Sequence, residues 1–456
     1  ALCYTKIVPV DEVVTLTLFH REDGALQRLM LGQAEKARLD RLWDELHFVS
    51  HDALTLVDAF EQLWQYATQD GDPSLFEPMR GPIQQRAAAF RKAQAAAEPL
   101  HVEGVLAWAA KACRRPLRDD EKAQLRALYG KLRAEEIAHE EAVRLMLARV
   151  LVSPSFLYRA EEPGPGKLAT AVNGWEMASR LSYFLWSSAP DEALMKDAAA
   201  GRLATAEGVA AAMHRMLDDD RVRRLANEFG AAWLHVQDVA TLDEKSERHF
   251  PEFAAIKADL QEEVVRTFED LFRGNRPVTD LLDGDAAMLN EAVARHYGIP
   301  GVKGAEWRRV SGVKAHGRGG VLGMGAVLAK QSGASRTSPI LRGNWLCEVL
   351  LGDKLPKPPK GVPPLPEDES ATEGLTVRQA VERHSSDPKC SGCHVRIDPF
   401  GHAMEAYDAI GRRRERDLGG RLLDTRVTLP GGVTVEGMDG LRGYLAGRRQ
   451  IGRAHV

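Results

Sequence analysis

The residues of this 456-residue chain with the clearest chemistry are two cysteines and a histidine near its C-terminal end. Cys390, Cys393 and His394 form a Cys-x-x-Cys-His motif, in which a thiol pair is followed directly by an imidazole. The motif is typical of covalent haem attachment. Thiols about one helical turn apart can reach the two vinyl groups of one porphyrin, and the histidine can then bind the iron. The sequence therefore predicts one covalent haem c, with His394 as the proximal iron ligand.

The same thiol pair is compatible with other chemistry. A structural zinc site needs four ligands, and His384 and His402 are the side chains that could complete one around Cys390 and Cys393. A redox dithiol of the thioredoxin type needs a strand–helix junction in a βαβ context, which the pattern here does not predict. Haem is favoured over both alternatives.

The second axial position of the iron is a separate question. Met404, His402 and Met438 are the candidates, and Met404 lies only ten residues after His394. A methionine ligand would raise the reduction potential and suit electron transfer, whereas an open position would permit chemistry on a small molecule. The sequence therefore offers Met404 as a candidate distal ligand of the iron.

Residues around the haem can also be anticipated from the sequence. The ring nitrogen of His394 that does not bind iron needs a carbonyl or a carboxylate as acceptor, and a backbone carbonyl at Asp398-Pro399 is a reasonable one. Arg336 could pair with haem propionates, because arginine suits carboxylates. Capping of the helix after Pro339 would explain Thr337 or Ser338 equally well.

Composition narrows the class of protein. The net charge is −4 and 44% of the residues are hydrophobic, which gives no reason to expect a nucleic-acid partner. No apolar run approaches the roughly 18 residues that would span a bilayer, so no transmembrane segment is predicted in this chain. The odd number of cysteines, five, argues against a disulfide scaffold.

Hydrophobic periodicity predicts a mainly α protein of several helical domains, with a β-containing piece at the C-terminal end. The last residues, Ile451 to Val456, resemble the translation of a sequencing adapter, so we interpret the chain as a fragment. The predicted segments are a mostly helical region at 1–97, a small helical domain at 98–160, a helical domain at 170–302, a cytochrome-c-like domain with the motif at 317–418, the start of a truncated domain at 419–449 and an adapter scar at 450–456.

Several longer stretches resemble one known family. They are residues 390–412, 336–345 with the proline-rich run that follows, 175–191, and 113–117 together with 151–159. Together they are similar to the large secreted multidomain cytochrome-c-like proteins of planctomycetes, whose domains mostly have no assigned activity. The resemblance covers the chain from about residue 100 onward. In this family the positions of His402 and Met404 are commonly apolar, which weakens both as axial ligands.

The resemblance implies an exported protein, periplasmic or extracellular, because thioether formation to haem occurs outside the cytoplasm. The leading hypothesis is one-electron transfer through haem c to a redox partner protein or domain, in the service of a catalytic unit elsewhere in the full-length chain. A second hypothesis is a haem enzyme with an open axial site and peroxidase-like chemistry. A third is an extracytoplasmic binding or scaffold protein in which the motif is a metal or structural site. Whether the chain is an enzyme stays open.

Overall fold

The computed structural model describes residues 21–161, 170–356, 369, 374–386 and 388–447, without the side chains of Asp70 and Lys389. This part of the chain is mainly helical and contains two small antiparallel two-stranded sheets, which confirms the predicted fold class. The chain divides into two compact units between Ala160 and Glu161. The proposed adapter scar at 450–456 and most of the proline-rich run lie outside the described residues.

The first unit is built from helices. Those described are α1 (Gly24–Leu29), α2 (Gln33–Val49), α3 (Asp52–Asp70), a 3-10 turn (Pro73–Phe76), α4 (Glu77–Ala112), α5 (Asp119–Ala134), α6 (His139–Leu151) and α7 (Pro154–Leu157). A buried apolar cluster that includes Leu106, Ala109 and Met146 joins α4 to α6. The domain boundary predicted at residues 97–98 falls inside α4, which continues through them without a break. The boundary stays a prediction.

The second unit contains both sheets and the Cys-x-x-Cys-His motif. Its described helices and strands are α8 (Gly174–Trp186), α9 (Glu192–Ala199), α10 (Ala206–Leu217), α11 (Arg223–Leu225) continued by a π-helix (Ala226–Ala231), α12 (Phe253–Arg273), α13 (Asp280–Asp283), β1 (Ala286–Leu289), α14 (Glu291–Tyr297), β2 (Arg308–Ser311), α15 (Gly325–Lys330), α16 (Pro339–Trp345) continued by a π-helix (Leu346–Leu350), α17 (Val377–Ser385), α18 (Pro388–Ala403), β3 (Arg426–Leu429), β4 (Val433–Glu436) and α19 (Gly437–Ala446). Short 3-10 turns lie at Arg202–Ala204, Asp220–Val222, Val239–Thr241, Val313–His316 and Val321–Gly323.

One large apolar core joins the later part of this unit. Phe268, Leu328, Phe400 and Leu441 all belong to it, although they come from three different predicted segments. The C-terminal hairpin pairs Val427 with Val435 in antiparallel register, as its alternating pattern predicts. The domain boundaries predicted between residues 302 and 317 and at 418–419 stay predictions. The predicted domains on either side of them contribute residues to the same core.

The motif helix α18 crosses α16 at very short range. A Cβ atom added to Gly343 of α16 would lie 2.0 Å from the carbonyl oxygen of Ile397, and one added to Gly401 would lie 1.9 Å from that of Pro339. Only glycine allows two backbones to approach this closely. The crossing therefore sets the position of α18 against the core.

We expect Gly401→Ala to lower the free energy of unfolding by about 1–3 kcal/mol, because the new methyl group must push the two helices apart. The matched control is Gly443→Ala in α19, where an added Cβ meets no atom within 4 Å. Alanine favours a helix over glycine, so the control should be neutral or slightly stabilised. Denaturant unfolding curves measure both variants, and equal effects would contradict this account of the crossing.

Candidate functional site

The motif occupies the N-terminal half of α18. The helix begins at Pro388, a residue well suited to the first turn because its missing N–H would have no helical partner there. Cys390 and Cys393 therefore lie one turn apart on a regular helix, and both are free, partly buried thiols. His394 follows directly on the same helix, with its side chain 12% exposed. Local helix geometry thus presents the two thiols and the imidazole together.

The imidazole of His394 is held by a carboxylate one turn later. Its Nδ1 atom lies 2.9 Å from both side-chain oxygens of Asp398. With Nδ1 engaged, Nε2 is the nitrogen left for a metal ion. The expectation of a backbone carbonyl as acceptor was therefore wrong, although the four-residue spacing in a helix was a readable signal for the side-chain pair.

Burial dominates the electrostatics around His394. It raises the pKa of Asp398 to about 6, while His394 opposes the shift. The ring of His384 packs edge-on against His394, with 5.4 Å between ring centroids. Burial, and then the neighbouring His394 and Arg336, lower the pKa of His384. Arg336 is thus close enough to act electrostatically on His384, and its pairing with haem propionates stays a prediction.

A cavity of about 310 Å³ lies beside His394, between α17, α18 and β3. Its wall includes His394, Asp398, Arg378 and His402, with Val427 of β3 as an apolar contribution. A cavity of this size is within the range that small ligands and cofactors occupy. The structure therefore places His402, one of the residues singled out from the sequence, in the same cavity as His394.

Two polar atoms of this cavity wall are buried without a hydrogen-bond partner in the described part of the chain, His402 Nδ1 and Arg378 Nε. His402 is 5% exposed, and burial followed by the charge of Arg378 lowers its pKa to about 3, so its imidazole is neutral at pH 7. A buried polar group without a partner costs about 1–3 kcal/mol. Both atoms are closed off from solvent, so their lack of a partner is a cost carried by the fold beside the cavity.

The two methionine candidates lie elsewhere. Met404 follows the end of α18, is 1% exposed, and belongs to the apolar core, as does Met438 at 4%. Neither residue is part of the cavity wall beside His394. Met404 as distal ligand stays a prediction, and it would require the chain after Ala403 to leave this core.

A buried arginine of α16 fixes the chain where α18 ends. Arg342 is 1% exposed and donates hydrogen bonds to the carbonyl oxygens of Met404 at 2.8 Å, Tyr407 at 2.9 Å and Asp408 at 2.7 Å. It also donates to the hydroxyl of Ser332 at 3.0 Å. Burial lowers its pKa to about 10, so the guanidinium is charged at pH 7.

The residues after Arg336 have structural partners. The Thr337 hydroxyl is fully buried and donates to Glu405 at 2.8 Å. Glu405 lies beside Arg414, whose guanidinium makes a pair of hydrogen bonds, 2.7 and 3.0 Å long, to Glu369. Ser338 accepts a hydrogen bond from the backbone N–H of Leu341, which confirms the capping interpretation for this residue.

We expect Arg342→Lys to lower the free energy of unfolding by more than about 2 kcal/mol. Lysine keeps the positive charge, but its compact ammonium cannot reach all the acceptors that the guanidinium binds. The carbonyl oxygens of Met404 and Asp408 keep their backbone partners, the N–H groups of Tyr407 and Gly411, but the buried carbonyl of Tyr407 would lose its hydrogen bond at a cost of about 1–3 kcal/mol. The measurement is thermal or denaturant unfolding of the variant and the parent.

The matched control is Arg396→Lys in α18, where the arginine is half-exposed and pairs with Asp353 at 3.1 Å. A solvent-exposed pair contributes little, so this variant should stay within about 0.5 kcal/mol of the parent. Equal losses in the two variants would show that the buried hydrogen bonds of Arg342 are not what stabilises this region.

Within the described ranges, no group of three or more His, Cys, Asp or Glu side chains is arranged to hold a metal ion. His384 and His402 accordingly do not complete a zinc site around the two thiols in this structure. Among the described residues, no helix combines the length and apolar character needed to cross a membrane.

Three family models match the chain. PSD5, a protein family of unknown function (DUF1595), matches residues 102–161, and PSD4, of unknown function (DUF1592), matches residues 172–299. PSCyt3, of unknown function (DUF1588), matches residues 318–417, a stretch that contains α16, α18 and the whole motif. A search of curated proteins and a search of solved structures returned no match.

Proposed function

Because the chain belongs to the planctomycete-type family of multidomain cytochrome-c-like proteins, we propose that it carries one covalent haem c and transfers single electrons through it. The observation that carries the proposal is the arrangement on α18. Two free thiols stand one turn apart, and the adjacent His394 has Nδ1 occupied by Asp398 and Nε2 left for iron. These donors fit a haem better than they fit a zinc ion.

The residues of α18 have distinct tasks in this proposal. Cys390 and Cys393 would each form a thioether bond by adding the thiol across one vinyl group of the porphyrin. His394 would bind the iron through Nε2, and Asp398 would hold its ring in that orientation. The bound haem supplies a reversible one-electron change at iron, and the surrounding protein tunes its potential.

Arg378 and His402 are polar side chains in the wall of the cavity where the proposed haem would lie. Arg378 already donates to the carbonyl oxygens of Asp424 at 2.8 Å and Arg426 at 3.0 Å, which leaves Nε as its unpartnered donor. His402 adds a second unpartnered nitrogen in the same cavity wall. Because both atoms are buried, a haem carboxylate would reach them only if the two side chains turned toward the cavity.

Covalent haem attachment takes place outside the cytoplasm, so the proposal includes export to the periplasm or beyond. It also includes a redox partner, either a separate protein or another domain of the full-length chain, and a catalytic unit that this haem would serve. The family models supply the cytochrome-like class, and these finer points rest on the chemistry of the motif.

One observation favours a second candidate, a haem enzyme with an open axial site. Met404 and Met438 are buried in the apolar core and do not line the cavity beside His394. An iron with only His394 as an axial ligand could bind a small molecule and support peroxidase-like chemistry.

The proposal is tested by exporting the chain from a host that matures c-type haem. We expect haem that stays attached after denaturation, with the absorption of two thioether bonds, and we expect Cys390→Ser combined with Cys393→Ser to lose it. The control, Cys113→Ser, changes a partly buried thiol in the first unit and should keep the haem. A folded parent protein without attached haem would contradict the proposal and favour a binding or scaffold role.

Carbon monoxide separates the two haem functions. Rapid binding of carbon monoxide to the reduced protein would indicate an open axial site and favour the enzyme. A reduced spectrum that carbon monoxide does not change would indicate two protein ligands and favour electron transfer.

A further inference from the structure

We infer that Asp398 is a positioning residue that strengthens His394 as an electron donor to the iron, and that the haem is therefore matched to a low-potential electron donor. This inference rests on the proposed function, because it concerns the same iron. Asp398 lies outside the Cys-x-x-Cys-His motif, and the motif does not define the potential of the electron donor.

The geometry of the pair is unusually restrictive. Both carboxylate oxygens of Asp398 lie 2.9 Å from Nδ1 of His394, and each of the two side chains is 12% exposed. Hydrogen bonds to an ionised group are stronger than neutral ones, and little solvent screens this one. No other hydrogen bond of the Asp398 side chain appears in the described part of the chain.

The helix keeps the pair in this arrangement. His394 and Asp398 are four residues apart on α18, so their side chains meet on one face. The close approach of Gly401 to Pro339 and of Gly343 to Ile397 prevents α18 from sliding along α16. The carboxylate is therefore a fixed part of the site rather than a mobile surface group.

An aspartate at position 398 lowers the stability of the folded chain unless its carboxylate has a partner. Aspartate is a poor helix former, its carboxylate is largely buried here, and the next residue is a proline inside the helix. Residues that break local rules without another compensation are expected at functional sites. The compensation available to Asp398 is its bond to His394.

The chemical consequence follows from the charge. A carboxylate that accepts the Nδ1 proton in a hydrogen bond makes the imidazole more basic at Nε2. A more basic ligand and a nearby negative charge both stabilise ferric iron over ferrous iron, which carries one positive charge less. In the haem-loaded protein, the partner would be oxidised by one electron and the iron reduced by it, and Asp398 and His394 would keep their shared proton. A haem tuned in this way accepts electrons only from a donor of low potential.

The experiment compares holoprotein variants by redox titration. Asp398→Asn keeps the shape and an acceptor oxygen but removes the charge. At a fixed solution potential we expect at least a tenfold higher ratio of ferrous to ferric haem than in the parent, which for one electron corresponds to about 59 mV. The ferric electron paramagnetic resonance spectrum should change in parallel, because its g-values report the donor strength of the axial histidine.

The matched control is Glu382→Gln. Glu382 lines the same cavity without a hydrogen bond to His394, so its loss should change the ratio by less than threefold. Asp398→Ser, which also removes the charge, provides a second variant if the asparagine protein does not accumulate.

The outcomes separate this inference from the proposed function. Parent protein without haem overturns both. Parent protein with haem, together with variants at Asp398 that keep its potential and ferric spectrum, overturns the role of Asp398 and leaves the proposed function standing. Equal changes of the ferrous-to-ferric ratio in the Asp398 and Glu382 variants would also overturn the role of Asp398. Any negative charge in the cavity wall would then have the same effect.

Discussion

The position of the motif helix depends on a buried guanidinium. Arg342 reaches from α16 to the three backbone carbonyls that follow the end of α18. Two of these carbonyls also accept backbone hydrogen bonds, from Tyr407 and Gly411, and an unpaired carbonyl in this core would be expensive. One charged side chain thus ties together three carbonyls of the chain that follows α18. In doing so it defines where α18 ends and which residues after it enter the core.

Near Arg342, two kinds of contact fix the position of α18. Glycines at the α16–α18 crossing bring the backbones together, which fixes the distance between the helices. Charged groups on the other side, with Glu405 near Arg414 and Arg414 bonded to Glu369, fix the direction of the chain that leaves α18. Apolar packing alone tolerates sliding, whereas short backbone contacts and directional hydrogen bonds do not.

The site itself has two different halves. On the helix side the thiols, His394 and Asp398 are set by helical spacing, and they are the groups that would hold the proposed haem. On the cavity side Arg378 and His402 line the wall, and both methionine candidates are buried in the core. In the proposed haem protein, electron transfer and small-molecule chemistry would differ in what occupies the second axial position. The groups on α18 would serve both equally well.

Local features of this protein could be predicted from its sequence. The helical class, the C-terminal hairpin, the Cys-x-x-Cys-His motif and the family resemblance all depend on residues close together in the chain, where spacing and propensity decide. The tertiary structure decided which distant groups surround the motif. Met404 lies in the core while Arg342 binds its carbonyl, and His402 shares a cavity with His394 because α17 and β3 pack beside α18. Such contacts join residues tens of positions apart, and no local pattern records them. The acceptor for His394 belongs to the local features, because Asp398 lies four residues later on the same helix and its carboxylate meets the ring there.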